Sequence, residues 1–270
     1  MDISFTYKLN DGNRIPILGF GTYRLAAGNE AEEAVLHALR TGYRLIDTAS
    51  YYGNEESVGK AIRESGIPRE KIFVTTKIWN DQHADPIAAF EQSRKRLGLD
   101  YIDLYLIHWP VPERKKTWKA MCGLLHDNKV RSIGVANFTI RHLEDLLSSA
   151  EIVPAVNQVE FTPFLYQKEL LEYCRKKGIL LEAYAPLTRS GKFSHPVIAG
   201  LSAKHSRTPA QILLRWCMQH EVVPIPKSKT PARIDENAGV FDFTLSQSDM
   251  QKLDSLNEDY RVAPDPTRMP

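Results

Sequence analysis

Four ionisable side chains, Asp47, Tyr52, Lys77 and His108, lie at or just beyond the ends of short apolar runs. A charged group in such a position is costly to bury unless it is paired, and Asp47 and Lys77 are natural partners. A nearby ammonium group favours a phenolate and lowers the pKa of a tyrosine, which is what a general acid at neutral pH requires. The set therefore predicts proton transfer, with Tyr52 as the acid and Lys77 as the group that tunes it.

A simpler interpretation of the same residues is structural. Asp47 and Lys77 could form an ion pair that only joins two neighbouring strands, and a histidine on its own is more often packed than functional. With all four side chains present, we expect His108 to donate a hydrogen bond to a carbonyl oxygen or to act as a second acid. No group of Cys, His or carboxylate residues has metal-ligand spacing, so we expect no metal, and the chemistry requires an organic cofactor or none.

A second group of chemically suitable residues extends from Lys227 to Arg233. Thr230 and Pro231 predict a helix start, where backbone N–H groups and the helix dipole favour an anion. Lys227, Lys229 and Arg233 add three cations. A solvated charge cluster is the alternative, but the position after a predicted strand favours phosphate binding. No G-x-G-x-x-G sequence follows a strand, so a dinucleotide would not be bound as in a Rossmann fold.

These side chains need a regular framework, and the sequence predicts one. Eight short runs that favour β-structure recur along the chain, at residues 17–21, 44–48, 73–77, 102–108, 132–137, 155–159, 180–185 and 222–227. Helix signals lie between them, among them Asp85-Pro86, a capping box that begins at Thr208, and an apolar face that ends at Gly42. Strands that alternate with helices form right-handed parallel crossovers, and eight such units favour a closed (β/α)8 TIM barrel, an α/β fold.

Two segments fall outside the repeating pattern. Residues 5–8 and 13–17 flank Asn10-Asp11-Gly12, which predicts a β-hairpin outside the barrel, at its bottom. Residues 263–267 include two prolines, and we expect an irregular surface tail there. No linker, repeat or low-complexity segment interrupts the chain, so residues 1–270 are predicted to form a single domain.

Composition argues against several functional classes. Of 270 residues, 43% are hydrophobic and 25% are charged, and the net charge is +2. This balance is typical of a soluble globular protein and predicts neither a nucleic-acid nor a membrane partner. The first residues lack the basic and apolar regions of a signal peptide, and no apolar run is long enough to span a bilayer. Three distant cysteines, Cys122, Cys174 and Cys217, fit neither a disulfide framework nor zinc, so we expect a cytoplasmic protein.

Seven motifs follow one another along nearly the whole chain. They are Gly19-Phe20-Gly21-Thr22-Tyr23, Gly42-Tyr43-Arg44-Leu45-Ile46-Asp47-Thr48-Ala49 with Tyr52-Gly53-Asn54-Glu55, Thr76-Lys77-Ile78-Trp79, Leu104-Tyr105-Leu106-Ile107-His108-Trp109-Pro110, Ile133-Gly134-Val135-Ala136-Asn137-Phe138, Asn157-Gln158-Val159-Glu160, and Lys227-Ser228 with Arg233, Glu236 and Asn237. In order and spacing they resemble the aldo-keto reductase family, and in particular its small, mostly microbial members that reduce diketo-sugar acids (such as diketo-gluconate), methylglyoxal and simple aldehydes. That family consists of barrel-shaped reductases that bind NADPH or NADP+ across the strand ends.

The resemblance implies a role for each matching residue. Asp47, Tyr52, Lys77 and His108 correspond to the catalytic tetrad, with Tyr52 as the proton donor. The positions that correspond to cofactor contacts are Gly21, Thr22, Asp47, Asn137, Gln158, Tyr184, Leu187, Lys227, Ser228, Arg233, Glu236 and Asn237. The positions that correspond to the substrate pocket are Tyr23, Trp79, His108 and Trp109.

Within the implied cofactor site, the two ends of the dinucleotide have different partners. Asn137 and Gln158 would hold the nicotinamide carboxamide, and Tyr184 would stack on the ring. The segment from Lys227 to Asn237 would bind the 2′-phosphate and the adenine.

Three departures from the family pattern affect these expectations. Ala136 stands where many relatives have serine, so one carboxamide hydrogen bond should be missing. Phe161 stands where a histidine commonly precedes the proline, with no consequence that follows from the sequence. The segment 111–117 is much shorter than the corresponding loop of larger members, which implies an open pocket.

The implied reaction is NADPH-dependent reduction of an aldehyde or ketone to an alcohol, by hydride transfer with Tyr52 as the proton donor. We expect a monomer with a small-molecule carbonyl substrate. Two alternatives remain open from the sequence. One is a redox-sensing subunit that binds the cofactor with little turnover, and the other is a non-redox barrel enzyme that uses Lys77 as a Schiff base and the Lys227 region for a substrate phosphate.

Overall fold

The computed structural model describes residues 2–270, and its main element is an eight-stranded parallel sheet. An antiparallel hairpin precedes it, formed by β1 (Thr6–Lys8) and β2 (Arg14–Pro16). The sheet strands follow in chain order, each paired with the next: β3 (Gly19–Gly21), β4 (Leu45–Asp47), β5 (Phe73–Ile78), β6 (Ile102–Ile107), β7 (Val130–Ala136), β8 (Val156–Glu160), β9 (Leu180–Tyr184) and β10 (Val223–Pro224). This topology confirms the predicted (β/α)8 barrel with its N-terminal hairpin.

Helices cover the outside of the barrel. They are α1 (Asn29–Thr41), α2 (Glu55–Glu64), α3 (Pro86–Leu97), α4 (Arg114–His126), α5 (Ile140–Leu147), α6 (Lys168–Lys177), α7 (Pro196–His205), α8 (Pro209–Gln219), α9 (Pro231–Ala238) and α10 (Gln247–Asp254). The predicted helix signals are confirmed, since Asp85 caps α3, Thr208 forms a capping box at α8, and Gly42 ends α1 with a φ of 113°. Thr230 precedes α9, but its side chain makes no capping hydrogen bond.

Side chains along each strand alternate between the helices and the barrel interior. On β9, Leu181 and Ala183 belong to the large apolar cluster under the helices. Leu180 and Tyr184 instead pack against a smaller cluster inside the barrel. Glu182 lies between Leu181 and Ala183 on the strand, so its side chain points the opposite way, into the interior, where it is fully buried.

The first and last strands of the sheet close the barrel at one point. The backbone N–H of Gly21 donates to the carbonyl oxygen of Pro226 at 3.0 Å. A Cβ atom on Gly21 would lie 3.0 Å from the carbonyl oxygen of Ile225, which is tighter than an ordinary contact, so the close approach of these strands favours glycine. The closure brings the end of β3 next to Lys227.

The hairpin covers the N-terminal end of the barrel, as predicted. Leu9 and Ile15 are buried in the interior cluster. The Nδ2 atom of Asn13 donates to the carbonyl oxygen of Arg131 at 2.7 Å, which ties the hairpin to β7. The opposite end of the barrel is left open for a site.

The C-terminal segment differs from the predicted irregular surface tail. Residues Pro266–Arg268 form a 3-10 turn, and Pro266 is buried. The backbone N–H groups of Val262 and Ala263 donate to the carboxylate of Glu160 at 2.7 and 3.0 Å. The prolines do exclude an α-helix, but a carboxylate at the end of β8 satisfies the backbone and fixes the segment to the barrel.

The three cysteines, Cys122, Cys174 and Cys217, are buried free thiols. Burial raises the pKa of Cys174 to about 12. Within residues 2–270, no three His, Cys, Asp or Glu side chains are arranged to hold a metal ion. No helix in that range is long and apolar enough to cross a membrane.

Candidate active site

The C-terminal ends of the strands surround a pocket with a volume of about 500 Å³. Its lining includes the predicted strand-end residues Gly21, Asp47, His108, Asn137, Gln158, Tyr184 and Lys227. Tyr23, Tyr52, Trp79, Trp109 and Leu187 line it from the loops that follow the strands. Most of the residues predicted from the sequence to act together therefore meet at one place.

Lys77 lies under the pocket floor, with no exposed surface. Its Nζ atom donates to both carboxylate oxygens of Asp47, at 2.7 and 2.8 Å, and to the carbonyl oxygen of Thr48, at 2.9 Å. The pairing of β4 with β5 brings these opposite charges together. An ammonium group held by three acceptors is not a nucleophile, which argues against the Schiff-base alternative.

The hydroxyl group of Tyr52 approaches the same ammonium group. Lys77 Nζ lies 3.5 Å from Tyr52 Oη. Tyr52 ends the 3-10 turn Ser50–Tyr52, and Gly53 follows it with a φ of 68°. Glycine adopts this left-handed conformation without steric cost, so the turn aims Tyr52 back at the strand ends.

The expectation that Lys77 lowers the pKa of Tyr52 is wrong for the free protein. Burial raises the pKa of Tyr52 well above its usual range, and the negative charge of Asp47 raises it further. Because Asp47 already balances the ammonium charge, desolvation of the phenolate outweighs the attraction of Lys77. Tyr52 therefore keeps its proton throughout the physiological pH range and is available as a donor.

His108 faces Tyr52, with the two rings nearly perpendicular and their centroids 5.7 Å apart. Burial lowers the pKa of His108 well below its usual range, and the positive charge of Lys77 lowers it further. The imidazole is therefore neutral and has one N–H group to donate. This state fits the predicted hydrogen bond to a carbonyl oxygen and disfavours the alternative role of a second acid.

Aromatic rings form the outer wall of the pocket. Trp79 stacks on Tyr51 with ring centroids 3.8 Å apart and meets the ring of His108 edge-on at 4.9 Å. Tyr23 lies tilted against Tyr52 at 4.9 Å. Tyr23 and Tyr51 are 39% and 52% exposed, so the mouth is open to solvent. Such a wall suits small apolar or planar groups and selects weakly among them.

Gln158, on β8, uses both hydrogens of its amide inside the barrel. Its Nε2 atom donates to Asp47 Oδ2 at 2.8 Å and to Glu182 Oε2 at 3.1 Å. The amide oxygen makes no hydrogen bond within the described residues and remains available to the pocket that Gln158 lines.

Asn137, directly after β7, is held by neighbouring protein groups. Its backbone has a φ of 64°. Its Nδ2 atom donates to the carbonyl oxygen of His108 at 2.9 Å, and its Oδ1 atom accepts from Tyr184 Oη at 2.8 Å. A carboxamide ligand would therefore have to share or displace the contact between Tyr184 and Asn137.

Only part of the predicted phosphate-binding segment, which extends from Lys227 to Asn237, lines the pocket. Lys227 lines the pocket, whereas Ser228, Arg233, Glu236 and Asn237 do not. Ser228 precedes α9, and the other three lie on it. The side chain of Arg233 is exposed and has no ion pair or hydrogen bond among the described residues. Glu236 is engaged inside the protein, where its carboxylate accepts from Thr208 Oγ1 at 2.8 Å.

Thr22, one of the predicted contact residues, makes its hydrogen bonds inside the protein. It is fully buried and does not line the pocket. Its backbone N–H and its hydroxyl both donate to the carbonyl oxygen of Asp47, at 3.0 and 2.9 Å. Thr22 therefore supports the strand that carries Asp47.

A sequence profile of the Aldo/keto reductase family matches residues 17–258, a range that includes all eight barrel strands. The chain belongs to this family. The predicted resemblance is thereby confirmed, together with the class of oxidoreductases that act on carbonyl groups.

Several named proteins are similar to this chain over nearly its full length. Glyoxal reductase of Bacillus subtilis (strain 168) is 51% identical over 267 residues, which are 98% of this chain and 97% of the relative. An aldo-keto reductase from a Medee basin deep-sea metagenome library is 47% identical with a TM-score of 0.93, over 96% of this chain and 97% of the other. A Bombyx mori aldo-keto reductase solved in complex with NADP is 37% identical with a TM-score of 0.91, over 98% and 97%.

Several residues that line this aldo-keto reductase pocket were not predicted from the sequence. Arg24 and Arg189 line it with left-handed backbones, at φ values of 63° and 51°. Both follow strand ends, so the rule used for the other polar residues could have found them. Ala263 and Pro264 also line it, and no local sequence signal indicates that this distant segment returns to the barrel.

Proposed function

We propose that this chain catalyses the NADPH-dependent reduction of small aldehydes and ketones to alcohols, with Tyr52 as the proton donor. The observation that carries the proposal is the convergence of Tyr52, Lys77 and His108 at a pocket that Lys227 also lines. NADP(H) is the cofactor expected of an aldo-keto reductase. The name of the Bacillus subtilis relative favours small dicarbonyl compounds such as glyoxal as substrates.

The pocket residues fit a nicotinamide dinucleotide that carries a 2′-phosphate. The unbonded amide oxygen of Gln158 suits the N–H groups of a carboxamide, and the ring of Tyr184 offers an aromatic face. Lys227 and the unpaired Arg233 suit phosphate groups. When bound, NADPH supplies the hydride, and the protein supplies binding, orientation and the proton.

In the proposed reaction the protein holds the carbonyl group and protonates its oxygen. The neutral imidazole of His108 orients the carbonyl by donating a hydrogen bond. The O–H bond of Tyr52 breaks as the substrate oxygen takes the proton, and Lys77 stabilises the phenolate that forms. The neutral phenol of the resting protein gains little from Lys77, so the stabilisation arises mainly in the transition state, where it accelerates the reaction.

Substitution of Tyr52 by Phe tests the proposal. With glyoxal as substrate and NADPH absorbance as the readout, we expect Tyr52→Phe to lower kcat by roughly 10²- to 10⁴-fold, the usual contribution of a positioned acid. NADPH affinity, measured by tryptophan fluorescence, should change little. Tyr105→Phe is the matched control, because Tyr105 is buried under the helices and its hydroxyl has no partner among the described residues.

Two results would reject parts of the proposal. Retention of more than about a tenth of kcat by Tyr52→Phe would exclude this tyrosine as the donor. Tight NADPH binding by the wild-type protein without consumption of NADPH on a panel of carbonyl compounds would favour the redox-sensing alternative.

A further inference from the structure

Glu182 is a buried carboxyl group for which the proposed reaction has no role. It points into the barrel from β9 and has no exposed surface. Its Oε2 atom accepts from Gln158 Nε2 at 3.1 Å, whereas Oε1 has no hydrogen-bond partner within the described residues. A buried carboxyl group with one unsatisfied oxygen is costly for stability, so its presence calls for a functional reason.

The contacts of Gln158 suggest that reason. A primary amide has two N–H donors and one acceptor oxygen. Asp47 and Glu182 together occupy both donors, at 2.8 and 3.1 Å, and leave the oxygen for the pocket. Asp47 alone would satisfy only one donor. The amide could then rotate about that contact and turn its second N–H group, in place of the oxygen, toward the pocket.

We propose that Glu182 is a positioning residue of the cofactor site, which holds the Gln158 amide with its oxygen turned toward the pocket. In that orientation Gln158 accepts a hydrogen bond from the carboxamide of the nicotinamide. The inference rests on the proposed function, because it requires NADP(H) in this pocket.

The charges around Glu182 are compatible with this role. Asp47 on β4 and Lys77 on β5 are the charged groups that act on it, and they act in opposite directions. From the paired strands, β8 contributes the neutral Gln158, and β10 contributes Val223 at the paired position. Burial, reinforced by the charge of Asp47, raises the pKa of Glu182 to about 8. The protonated and the ionised carboxyl group both keep an acceptor oxygen for Gln158.

The test measures NADP+ and NADPH affinity by tryptophan fluorescence, without turnover, in three variants. Glu182→Met removes the acceptor at nearly constant length and should raise both dissociation constants by roughly 3- to 10-fold, as for the loss of one hydrogen bond. Glu182→Gln keeps an acceptor oxygen and should stay within about twofold of wild type. Thr75→Val is the matched control, because Thr75 is equally buried and its hydroxyl has no partner in the described structure.

Gln158→Leu separates this inference from the function on which it rests. Glu182→Met should weaken binding in the wild-type background and add nothing in the Gln158→Leu background. If Gln158→Leu weakens binding but Glu182→Met does not, the positioning role of Glu182 is overturned and the cofactor site stands. If Glu182→Met and Glu182→Gln weaken binding equally, the effect is general disruption, which also overturns the role. If wild-type protein binds neither nucleotide, the proposed function fails. Glu182→Leu replaces the Met variant should circular dichroism show that the latter is unfolded.

Discussion

At the scale of single residues, Lys77 acts on Tyr52 in a way that depends on the state of the proton. In the resting protein Asp47 lies within 2.8 Å of Lys77 and balances its charge. The pKa of Tyr52 is therefore raised, contrary to the expectation from the sequence that Lys77 lowers it, and the tyrosine stays protonated. Once the proton leaves, a phenolate would lie 3.5 Å from the ammonium group, where opposite charges shielded from water attract strongly.

Arg233 is the residue on which we expect cofactor choice to depend. NADPH differs from NADH by a 2′-phosphate, and an exposed guanidinium group without a partner can bind phosphate through two hydrogen bonds. Arg233→Ala should weaken NADPH binding by roughly 10- to 150-fold, the range for a hydrogen bond to a charged group, and leave NADH nearly unchanged. The measurement is the dissociation constant of both cofactors at one fixed ionic strength.

Lys252→Ala serves as the control for Arg233, because it removes the same charge from an exposed position on α10. It should leave the ratio of the two dissociation constants unchanged. Equal losses for NADPH and NADH in Arg233→Ala would show that Arg233 does not recognise the phosphate.

Residue type and position after a strand were enough to predict that Asp47, Tyr52, Lys77 and His108 lie close together and that most of the polar strand-end residues line one pocket. Neither they nor the family resemblance, which implied Thr22 as a contact residue, indicate that its hydroxyl donates to the carbonyl oxygen of Asp47, a contact set by strand register. They also missed Glu182, which lies in the middle of β9 and not at its end. A polar residue inside an apolar strand is the sequence signal that would have found it.

At the scale of elements, hydrogen bonds between loops hold the pocket in shape. Asn54, at the start of α2, donates from Nδ2 to the carbonyl oxygens of Thr22 and Leu25, at 3.0 and 3.1 Å. Its Oδ1 atom accepts from Thr48 Oγ1 at 2.9 Å. One buried amide thus connects the loop after β3 to the loop that carries Tyr52.

The C-terminal segment depends on Glu160 in a similar way, and its loss should affect substrate binding. Glu160→Gln replaces one acceptor oxygen with a donor that opposes the N–H groups of Val262 or Ala263. The segment, which brings Ala263 and Pro264 to the pocket, should loosen. We expect KM for the carbonyl substrate to rise by roughly 3- to 10-fold, with a smaller change in kcat, as measured by steady-state kinetics.

Glu172→Gln is the control for this element, because Glu172 is an exposed residue of α6. It should have wild-type kinetics. An unchanged KM in Glu160→Gln would mean that the segment stays in place without this carboxylate.

The elements differ in how well local sequence determines them. The eight strands and the helix caps were predicted because apolar runs and capping residues act over a few positions. The docking of the C-terminal segment was not predicted, because Glu160 and Val262 are 102 residues apart. Contacts across that separation depend on the completed barrel and leave no periodic signal in the chain.

At the scale of the whole molecule, Glu182 should make stability depend on pH. Its pKa is about 8 in the folded protein, whereas the ordinary value of 4.5 applies to the unfolded chain. Between these two pKa values the folded state keeps a proton that the unfolded state has released. The contribution of Glu182 to stability is therefore full below the unfolded pKa of 4.5 and is lost as the pH rises toward the folded pKa of about 8. The Tm of the wild type relative to that of Glu182→Gln should therefore fall between pH 5 and pH 8.

Thermal unfolding followed by circular dichroism, without nucleotide, measures this difference. A variant with glutamine differs from the wild type in packing as well, but that difference does not change with pH. A constant offset in Tm across the range would contradict the raised pKa of Glu182.

The burial of Cys122, Cys174 and Cys217 has a practical consequence for spectroscopy. Their protonated, inaccessible thiols should react slowly with maleimide reagents. One cysteine introduced at an exposed site, such as Asp81→Cys in the loop after β5, would then be the main target for a fluorophore. Site-specific labelling for single-molecule fluorescence therefore does not require removal of the three native cysteines, which can stay in the core.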